Sequence, residues 1–217
     1  MDAAGRLFNG TGCGPLVQVR PQWDARAGRL SLGFPDGHAV EGEVALGEPV
    51  ETDFYEKRVV PGRVIEGPWA EVLSAYAGEP LRLVRVDDGA HGTDIHVATL
   101  VSRASVEELS RRGGAAAPLD PRRFRMLLEL EGCGPHEEDE WIGREVRAGE
   151  VLLHIPSPVP RCAVTTQDPA TGIRDFDTLR TIKAYRGEIA GKWLMFGVYA
   201  EVVEPGCVRV GDAVEPA

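Results

Sequence analysis

The chain has 217 residues, a formal net charge of −10 at pH 7, and four cysteines that are widely separated along the sequence. So acidic a chain is a poor ligand for a phosphate backbone, which argues against a nucleic-acid partner. The apolar runs are short, and no basic segment followed by an apolar one opens the chain. We therefore expect a cytoplasmic protein with reduced thiols, no membrane contact and no zinc site.

Strand-like alternation dominates the N-terminal part of the chain. Alternating polar and apolar residues predict strands over residues 16–19, 29–34 and 38–46, and a further strand over 81–86. Between them, Pro68 and Gly78 bracket a predicted helix whose apolar side chains recur at helical spacing and are interpreted as core. Residues 87–92 are expected to form a mobile loop.

The C-terminal part alternates strands with short helices. Ser105 and Glu108 form an S-x-x-E pattern, which predicts a capping box at the start of a helix that ends near Gly113. A second helix is predicted over residues 177–186. The resulting pattern indicates a mainly β (α+β) fold built as a closed barrel. The strands predicted here cover residues 96–102, 124–130, 150–155, 161–166, 194–203 and 207–214.

Cys162 is the most informative single residue. It stands between Arg161 and a loop rich in Thr and Asp. A neighbouring cation favours the thiolate, which is the form of cysteine that acts as a nucleophile or a metal ligand. A lone cysteine is more often packed as a small hydrophobic residue, and the residues alone leave both interpretations open.

An ordered series of motifs runs over roughly residues 93–214: Phe124-Arg125, Glu138-Asp139-x-Trp141, Arg161-Cys162-x-x-Thr165-Thr166-x-Asp168-Pro169-x-Thr171-Gly172, Leu179…Tyr185-Arg186, Phe196-Gly197 and Val210-Gly211-Asp212. In this order the motifs resemble those of the MOSC domain. This domain forms the C-terminal part of molybdenum-cofactor sulfurases and the body of the mitochondrial amidoxime-reducing component and its bacterial relatives. The resemblance implies a MOSC-type closed β-barrel with a few short helices over residues 88–217, and a partial, β-rich MOSC-associated region over 1–87.

The resemblance implies a bound molybdenum cofactor of the molybdopterin type. In the family, the pterin holds molybdenum through dithiolene sulfurs, and the amidoxime-reducing branch adds one protein cysteine. That metal ligand corresponds to Cys162 here. A soft thiolate suits a thiophilic metal, and the pterin ligands explain why no cluster of protein ligands is needed.

Further residues are implied to bind the rest of the cofactor. Ser102, Arg103 and Ser105 lie at a helix start, where free N–H groups and the helix dipole favour the cofactor phosphate. Ser105 is also an expected N-cap, which is compatible with a nearby phosphate. Arg125 matches an arginine that contacts the pterin, although a solvated strand residue is the alternative. The remaining predicted cofactor-binding residues are Thr99, Arg161 and Thr165, the last through the shape of the Cys162 loop.

Glu138 and Asp139 belong to a run of four acidic residues, 137–140. Such a run is usually a solvated loop. The alternative is that these carboxyl groups deliver protons to the metal site, which makes both residues candidate catalytic groups together with Cys162.

The chain also departs from the family pattern. Where relatives have Arg-Pro-Asn, it has Arg125-Met126-Leu127, which removes an amide that would contact the pterin. The Lys-Ser pair of the N-terminal piece is missing, and the nearest counterpart of an arginine there is Thr11. Either the start codon is misplaced, or this member binds the cofactor weakly or not at all.

The function implied by the resemblance is that of a molybdenum-dependent oxidoreductase that reduces small N-hydroxylated or N-oxide substrates. The cofactor performs the redox chemistry and the protein positions it. No flavin, haem or iron–sulfur motif is present, so electrons must come from a separate donor protein. The alternatives are a sulfur-carrier or cofactor-handling module with a persulfide on Cys162, and a degenerate, non-catalytic member.

Overall fold

The computed structural model describes residues 1–88 and 95–217. The chain forms two compact units, one of Met1–Asp94 with Ala170–Ile173, and the other of Ile95–Pro169 with Arg174–Ala217. Most of the predicted mobile loop, residues 89–92, lies outside the described residues. Mixed strands with three α-helices confirm the mainly β class.

The N-terminal unit contains two three-stranded antiparallel sheets and one helix. Its core is built on Leu32, Phe34 and Trp69, against which the apolar face of the helix packs. The helix ends at Gly78, which adopts the left-handed conformation (φ 71°) that glycine tolerates. The elements are β1 (Arg20–Asp24), β2 (Arg29–Gly33) and β3 (Ala39–Glu43) in the first sheet, β4 (Ala45–Phe54), β5 (Arg58–Glu66) and β6 (Val84–Val86) in the second, and α1 (Trp69–Ala77).

Three features of this unit differ from the expectations. Residues 16–19 lie largely in a 3-10 helix, Gly14–Gln18, rather than in a strand, because Pro15 at its first turn favours a helical start. The long β4–β5 hairpin was not predicted. Its turn places Tyr55 and Glu56 at positive φ (62° and 57°), where the usual Asn-Gly or Asp-Gly signal is absent. Strand β6 is also shorter than expected, since Leu81 makes only an isolated bridge to Asp2.

The C-terminal unit is organised around one seven-stranded sheet. The strand order is β13-β9-β10-β12-β7-β8, with β11 also pairing with β12, and only β7 and β8 are parallel. The elements are β7 (Ala98–Ser102), α2 (Arg103–Arg112), β8 (Leu128–Leu130), β9 (Glu145–Ala148), β10 (Val151–His154), β11 (Pro158–Pro160), α3 (Thr178–Arg186), β12 (Met195–Glu204) and β13 (Val214–Pro216).

The closed barrel is the main error in the predicted fold. Strand β12 pairs with β11 near its start and with β10 near its end, so the sheet curls, but in the described part of the chain the end strands β13 and β8 do not pair. Strand β8 is short because a 3-10 helix, Pro121–Phe124, and a left-handed Arg125 (φ 52°) occupy the first residues of the predicted strand. The sheet is therefore an open half-barrel.

A bulge at Gly197 divides the core of this unit in two. The register between β11 and β12 shifts by one residue there, and Gly197 has a φ of 71°. A Cβ atom at this position would lie 2.7 Å from the Leu100 carbonyl oxygen and 2.7 Å from the Met126 Cε, so only glycine fits. Because one extra residue reverses the faces of a strand, Phe196 packs in one hydrophobic cluster and Val198 in the other.

Three further local predictions are wrong. The capping box does not form: α2 begins at Arg103, Ser105 lies inside it, and Glu108 pairs with Arg111 and Arg112 instead. Residues 161–166 are not a strand, since β11 ends at Pro160 and a 3-10 helix, Ala163–Thr166, follows. Residues 207–213 are not a strand but an irregular segment with a turn, held by the Arg209 N–H on the Asp212 carboxylate at 2.7 Å, and β13 begins only at Val214.

Candidate functional site

Cys162 is presented by a backbone turn that buried hydroxyl groups hold in place. Its carbonyl oxygen accepts hydrogen bonds from the Thr165 N–H (3.2 Å) and the Thr165 hydroxyl (3.0 Å). The Thr165 hydroxyl also lies 2.8 Å from the Thr178 hydroxyl at the start of α3. Thr165 is buried, whereas the Cys162 thiol is free and exposed. The turn therefore fixes the backbone and leaves the sulfur accessible.

Arg123 supports the same turn, and it was not among the residues predicted from the sequence. Its side chain is only 2% exposed. The guanidinium donates to the Thr165 carbonyl at 3.2 Å and forms a two-point pair with Asp175, at 3.2 and 3.1 Å. Asp120 and Pro121 indicate a turn before Arg123, but no local pattern distinguishes this buried arginine from its exposed neighbour Arg122.

The Arg161 side chain donates hydrogen bonds to main-chain carbonyl groups. Its Nε donates to the Phe196 oxygen at 2.7 Å and its Nη1 to the Phe124 oxygen at 3.0 Å, while the guanidinium lies 5.3 Å from the Phe124 ring centroid. Nη2 also contacts the Met126 sulfur at 2.8 Å. This arginine fixes the strand that leads into Cys162, so its predicted contact with the cofactor would have to coexist with these bonds.

Arg125, Leu127 and Thr99 lie close together in the chain fold and are partly or fully exposed. The Arg125 side chain has no hydrogen bond or ion pair with any residue in the part of the chain that the structure describes. Leu127 is 66% exposed, and its N–H donates to the Thr99 hydroxyl at 3.0 Å. The position that carries Asn in the family therefore lies at the surface and not in the core.

The predicted phosphate turn has side chains that already have partners. Ser102 and Ser105 are fully buried, and the Ser102 hydroxyl donates to the Gly134 carbonyl at 3.1 Å. Arg103 is exposed but pairs with Glu129 and Glu131, each at 2.7 Å. Binding of a phosphate by these side chains would require the Arg103 pairs to open.

Glu138 is a buried acid rather than part of a solvated loop. It is fully buried, and its carboxylate accepts from the Ser105 hydroxyl at 3.0 and 3.1 Å and from the Ser102 N–H at 3.3 Å. Burial raises the pKa of Glu138, and the hydrogen bonds from its own backbone, Ser102 and Ser105 oppose that rise. The carboxylate thus ties α2 to the acidic segment.

Asp139 has a separate role in the same segment. One oxygen pairs with the Arg186 guanidinium at 2.5 Å, and Arg186 also donates to the Met195 carbonyl at 3.2 Å. The other oxygen is buried and has no hydrogen-bond partner among the described residues. Asp139 therefore links the acidic segment to the end of α3 and the start of β12.

His136 and Tyr185 complete this network, and neither was predicted to be a site residue, although Tyr185 belongs to the Leu179…Tyr185-Arg186 motif. The His136 Nε2 lies 3.1 Å from the Tyr185 hydroxyl, and the imidazole meets the Phe196 ring edge-on at 5.4 Å. Burial lowers the pKa of His136 to about 4 and raises the pKa of Tyr185 to about 12. Both side chains are consequently neutral at pH 7. The two residues lie 49 positions apart in the chain, so no short motif reveals that they are in contact.

The donor set fits a metal that brings its own ligands. Among residues 1–88 and 95–217, no group of three or more His, Cys, Asp or Glu side chains could hold a metal ion. A bare ion is therefore a poor match. The exposed thiol at Cys162, together with an Arg125 guanidinium that pairs with no described residue, fits an anionic organic cofactor whose metal needs a single protein ligand.

The family of this chain follows from a match between its sequence and a known domain family. The MOSC domain family matches residues 87–215, which is more than half of the chain. The protein belongs to the MOSC domain family, as the motifs around Cys162 indicated.

Proteins similar to this chain include mitochondrial amidoxime-reducing components and a molybdenum cofactor sulfurase. The chain is 36% identical over 137 residues to mitochondrial amidoxime-reducing component 1 from Mus musculus, which covers 60% of this chain and 39% of that protein. Identity to the Homo sapiens protein of the same name is 32% over 139 residues, covering 61% and 40%. A molybdenum cofactor sulfurase from Drosophila grimshawi is 38% identical over 102 residues, covering 46% and 12%.

The similarities to known proteins extend over only part of those proteins. The chain spans no more than 40% of the length of the amidoxime-reducing components just named. The crystal structure of YiiM from Geobacillus stearothermophilus matches at 16% identity and a TM-score of 0.43, over 80% of this chain and 72% of that chain. No helix in the described part of this chain is long and apolar enough to cross a membrane.

Proposed function

We propose that this protein binds the molybdenum cofactor through Cys162 and reduces small N-hydroxylated compounds with electrons from a separate donor protein. The observation that carries the proposal is the free, exposed Cys162 thiol on a turn anchored by buried threonines in a MOSC domain. The names of the amidoxime-reducing relatives support the reaction class. We also keep residues 88–217 as the proposed MOSC domain and 1–87 as an associated region.

The residues around Cys162 have distinct roles in this proposal. Cys162 holds the metal, Arg125 offers a cation to the anionic pterin, and Thr165 keeps the Cys162 backbone in place. The bound cofactor supplies the two-electron redox chemistry that breaks the N–O bond. Reduction of R–NH–OH to R–NH2 and water consumes two electrons and two protons, so protons must reach the site.

The acidic segment contributes to the site indirectly. Because Glu138 is fully buried with both oxygens bonded to Ser105, it is not in contact with a substrate in this conformation. Proton transfer from Glu138 would have to pass through Ser105 or follow an opening of the segment. We propose that Glu138 and Asp139 act first by holding α2, the acidic segment and α3 together, and Glu138 variants test whether Glu138 also delivers protons.

The decisive experiment compares two exposed cysteines. Cys162 and Cys207 are both free and exposed, so Cys207→Ser is a matched control for Cys162→Ser. After loading with cofactor, retained molybdenum is measured by elemental analysis. Turnover is measured as the rate of benzamidoxime reduction with a chemical electron donor. We expect Cys162→Ser to lose turnover and to lower metal affinity at least about tenfold, while Cys207→Ser behaves as the wild type. Wild-type metal content and turnover in Cys162→Ser would refute the proposal.

A sulfur-carrier function is the second candidate. The exposed thiol that suits a metal ligand is equally open to a persulfide, and one relative is named a molybdenum cofactor sulfurase. In this reaction a cysteine desulfurase transfers its persulfide sulfur to the Cys162 thiolate. Incubation with such an enzyme and cysteine, followed by peptide mass spectrometry, would show one added sulfur on Cys162. A transferable persulfide without retained molybdenum would favour this candidate over the reductase.

A further inference from the structure

The pairing of β11 with β12 sets the strand register beside Cys162. Pro160 of β11 pairs with Met195 of β12, and the Arg161 N–H then donates to the Leu194 carbonyl at 2.8 Å. Both contacts follow the same antiparallel register. Continued by one residue, that register places Trp193 directly opposite Cys162.

The hydrogen bonds of Trp193 define the type of this pair. Its N–H donates to the Ile189 carbonyl at 3.0 Å, and its carbonyl accepts from the Ile189 N–H at 2.8 Å. The peptide groups of Trp193 thus face away from Cys162. Cys162 and Trp193 therefore form a non-hydrogen-bonded antiparallel pair, in which the side chains share a face and the Cα atoms are typically about 4.5 Å apart.

The neighbouring pair shows which face this is. Leu194 packs against the buried cluster that includes Phe196, and the Arg161 guanidinium lies over Phe124 of the same cluster. Since side chains alternate along a strand, Cys162 and Trp193 occupy the opposite, outer face. Their exposure agrees with this placement: the Cys162 thiol is exposed and Trp193 is 38% exposed.

A tight hairpin holds the indole in this position. Ala190 and Gly191 form its turn with φ values of 52° and 69°, and the Lys192 N–H donates to the Ile189 carbonyl at 3.3 Å. The Lys192 ammonium lies 4.8 Å from the Trp193 ring centroid. Trp193 is therefore a large planar surface on a structured element beside the thiol.

We infer that Trp193 is a specificity-determining residue that lines the space next to Cys162 and favours aromatic over aliphatic N-hydroxylated substrates. The inference rests on the proposed reductase function for its substrate class, but not for its geometry. Aromatic rings stack on an indole more favourably than alkyl groups do, so we expect a preference of about fivefold from this contact.

The first test needs no cofactor. In a Cys207→Ser background, Cys162 is the exposed thiol, because Cys13 and Cys133 are partly buried. The Cys162 thiolate attacks a disulfide reagent, forming a mixed disulfide and releasing one thiol. The rate of Cys162 modification is measured with dithiodipyridine, which is aromatic, and with hydroxyethyl disulfide, which is not. Each rate is divided by the rate at which the same reagent modifies a small free thiol. Peptide mass spectrometry verifies that Cys162 is the modified residue.

The expected result is a loss of selectivity in one variant only. Trp193→Ala should lower the aromatic-to-alkyl ratio about fivefold, and Trp193→Phe should retain most of it. Trp23→Ala, which removes another exposed tryptophan, is the matched control and should leave the ratio unchanged. An unchanged ratio in Trp193→Ala, with the fold intact by circular dichroism, would overturn the inference.

The second test uses the loaded full-length protein. Its kcat/KM for benzamidoxime relative to acetamidoxime should fall about fivefold in Trp193→Ala and recover in Trp193→Phe. If the wild type reduces neither compound, the proposed reductase function fails, while the labelling ratio still decides whether Trp193 flanks Cys162. If reduction occurs with the same substrate ratio in both proteins, only the specificity inference fails.

Discussion

The Ser105 hydroxyl donates to the buried Glu138 carboxylate, with distances of 3.0 and 3.1 Å to its two oxygens. The same hydroxyl accepts from the His136 N–H at 2.7 Å. A residue predicted to bind the cofactor and a residue predicted to deliver protons are thus partners in one buried network. This network connects α2 to the acidic segment, and its integrity can be tested directly.

Glu138 should control stability in a pH-dependent manner. Glu138→Ala leaves the Ser105 hydroxyl and the Ser102 N–H without their acceptor, and we expect a loss of about 2 kcal/mol in unfolding free energy. Glu138→Gln keeps an acceptor and should unfold closer to the wild type. Because burial raises the folded pKa above the ordinary value of 4.5, the folded state holds the proton longer than the unfolded state.

The sign of the pH effect follows from that difference. The stabilisation is complete below the unfolded pKa and is lost as pH rises through the folded pKa, so the wild type should lose stability relative to Glu138→Gln between acidic and neutral pH. Urea unfolding at several pH values measures this. We also expect Glu138→Gln to keep turnover within a few-fold. A loss of turnover with normal stability and metal content would instead assign Glu138 to proton delivery.

Arg123 and its neighbour Arg122 make a matched pair. Replacing the buried Arg123 by Met leaves Asp175 without its partner and removes the donor to the Thr165 carbonyl. Because Asp175 is 40% exposed and partly solvated, we expect a loss of about 2 kcal/mol rather than the full cost of a buried pair. Arg122→Met, at an exposed arginine, should change stability little. Equal effects in chemical denaturation would contradict the assignment of Arg123 to the Cys162 turn.

Thr165 should govern how well Cys162 is held. Thr165→Val removes the hydroxyl that joins the Cys162 carbonyl to Thr178, and we expect a loss of about 1–2 kcal/mol together with lower molybdenum retention. Thr165→Ser keeps the hydroxyl and serves as the control. Thermal unfolding and elemental analysis give the two readouts. Unaltered metal retention in a destabilised Thr165→Val protein would separate the turn from the cofactor.

Leu127 offers a gain-of-function test. The side chain is 66% exposed, so Leu127→Asn should leave the fold unchanged while restoring the amide that the family places beside the pterin. We expect more retained molybdenum after identical loading, and Leu127→Ala should show no increase. If the Asn variant retains no more metal than the Ala variant, the missing amide does not limit cofactor binding.

Much of the local structure could be predicted because its causes lie within a few residues. Asp177 accepts from the Arg180 N–H at 3.1 Å and begins α3 as expected, and Gly78 ends α1. Alternation correctly indicated β2, and the strands expected around β7, β10 and β12 are present. The predictions failed where a contact between distant residues replaced a local one. Ser105 has the spacing of an N-cap residue, but its hydroxyl donates to the Glu138 carboxylate instead.

The sequence by itself determined the family, because the residues around Cys162 are contiguous and carry their pattern along the chain. Only the tertiary structure decided the open sheet, the burial of Glu138, the anchoring of Thr165 by Arg123, and the pairing of Pro160 with Met195 beside Cys162. These features depend on strand register and on contacts between segments some 30 to 40 residues apart, such as Ser105 with Glu138 at a separation of 33. Burial and pairing at that range are properties of packing, which local periodicity does not encode.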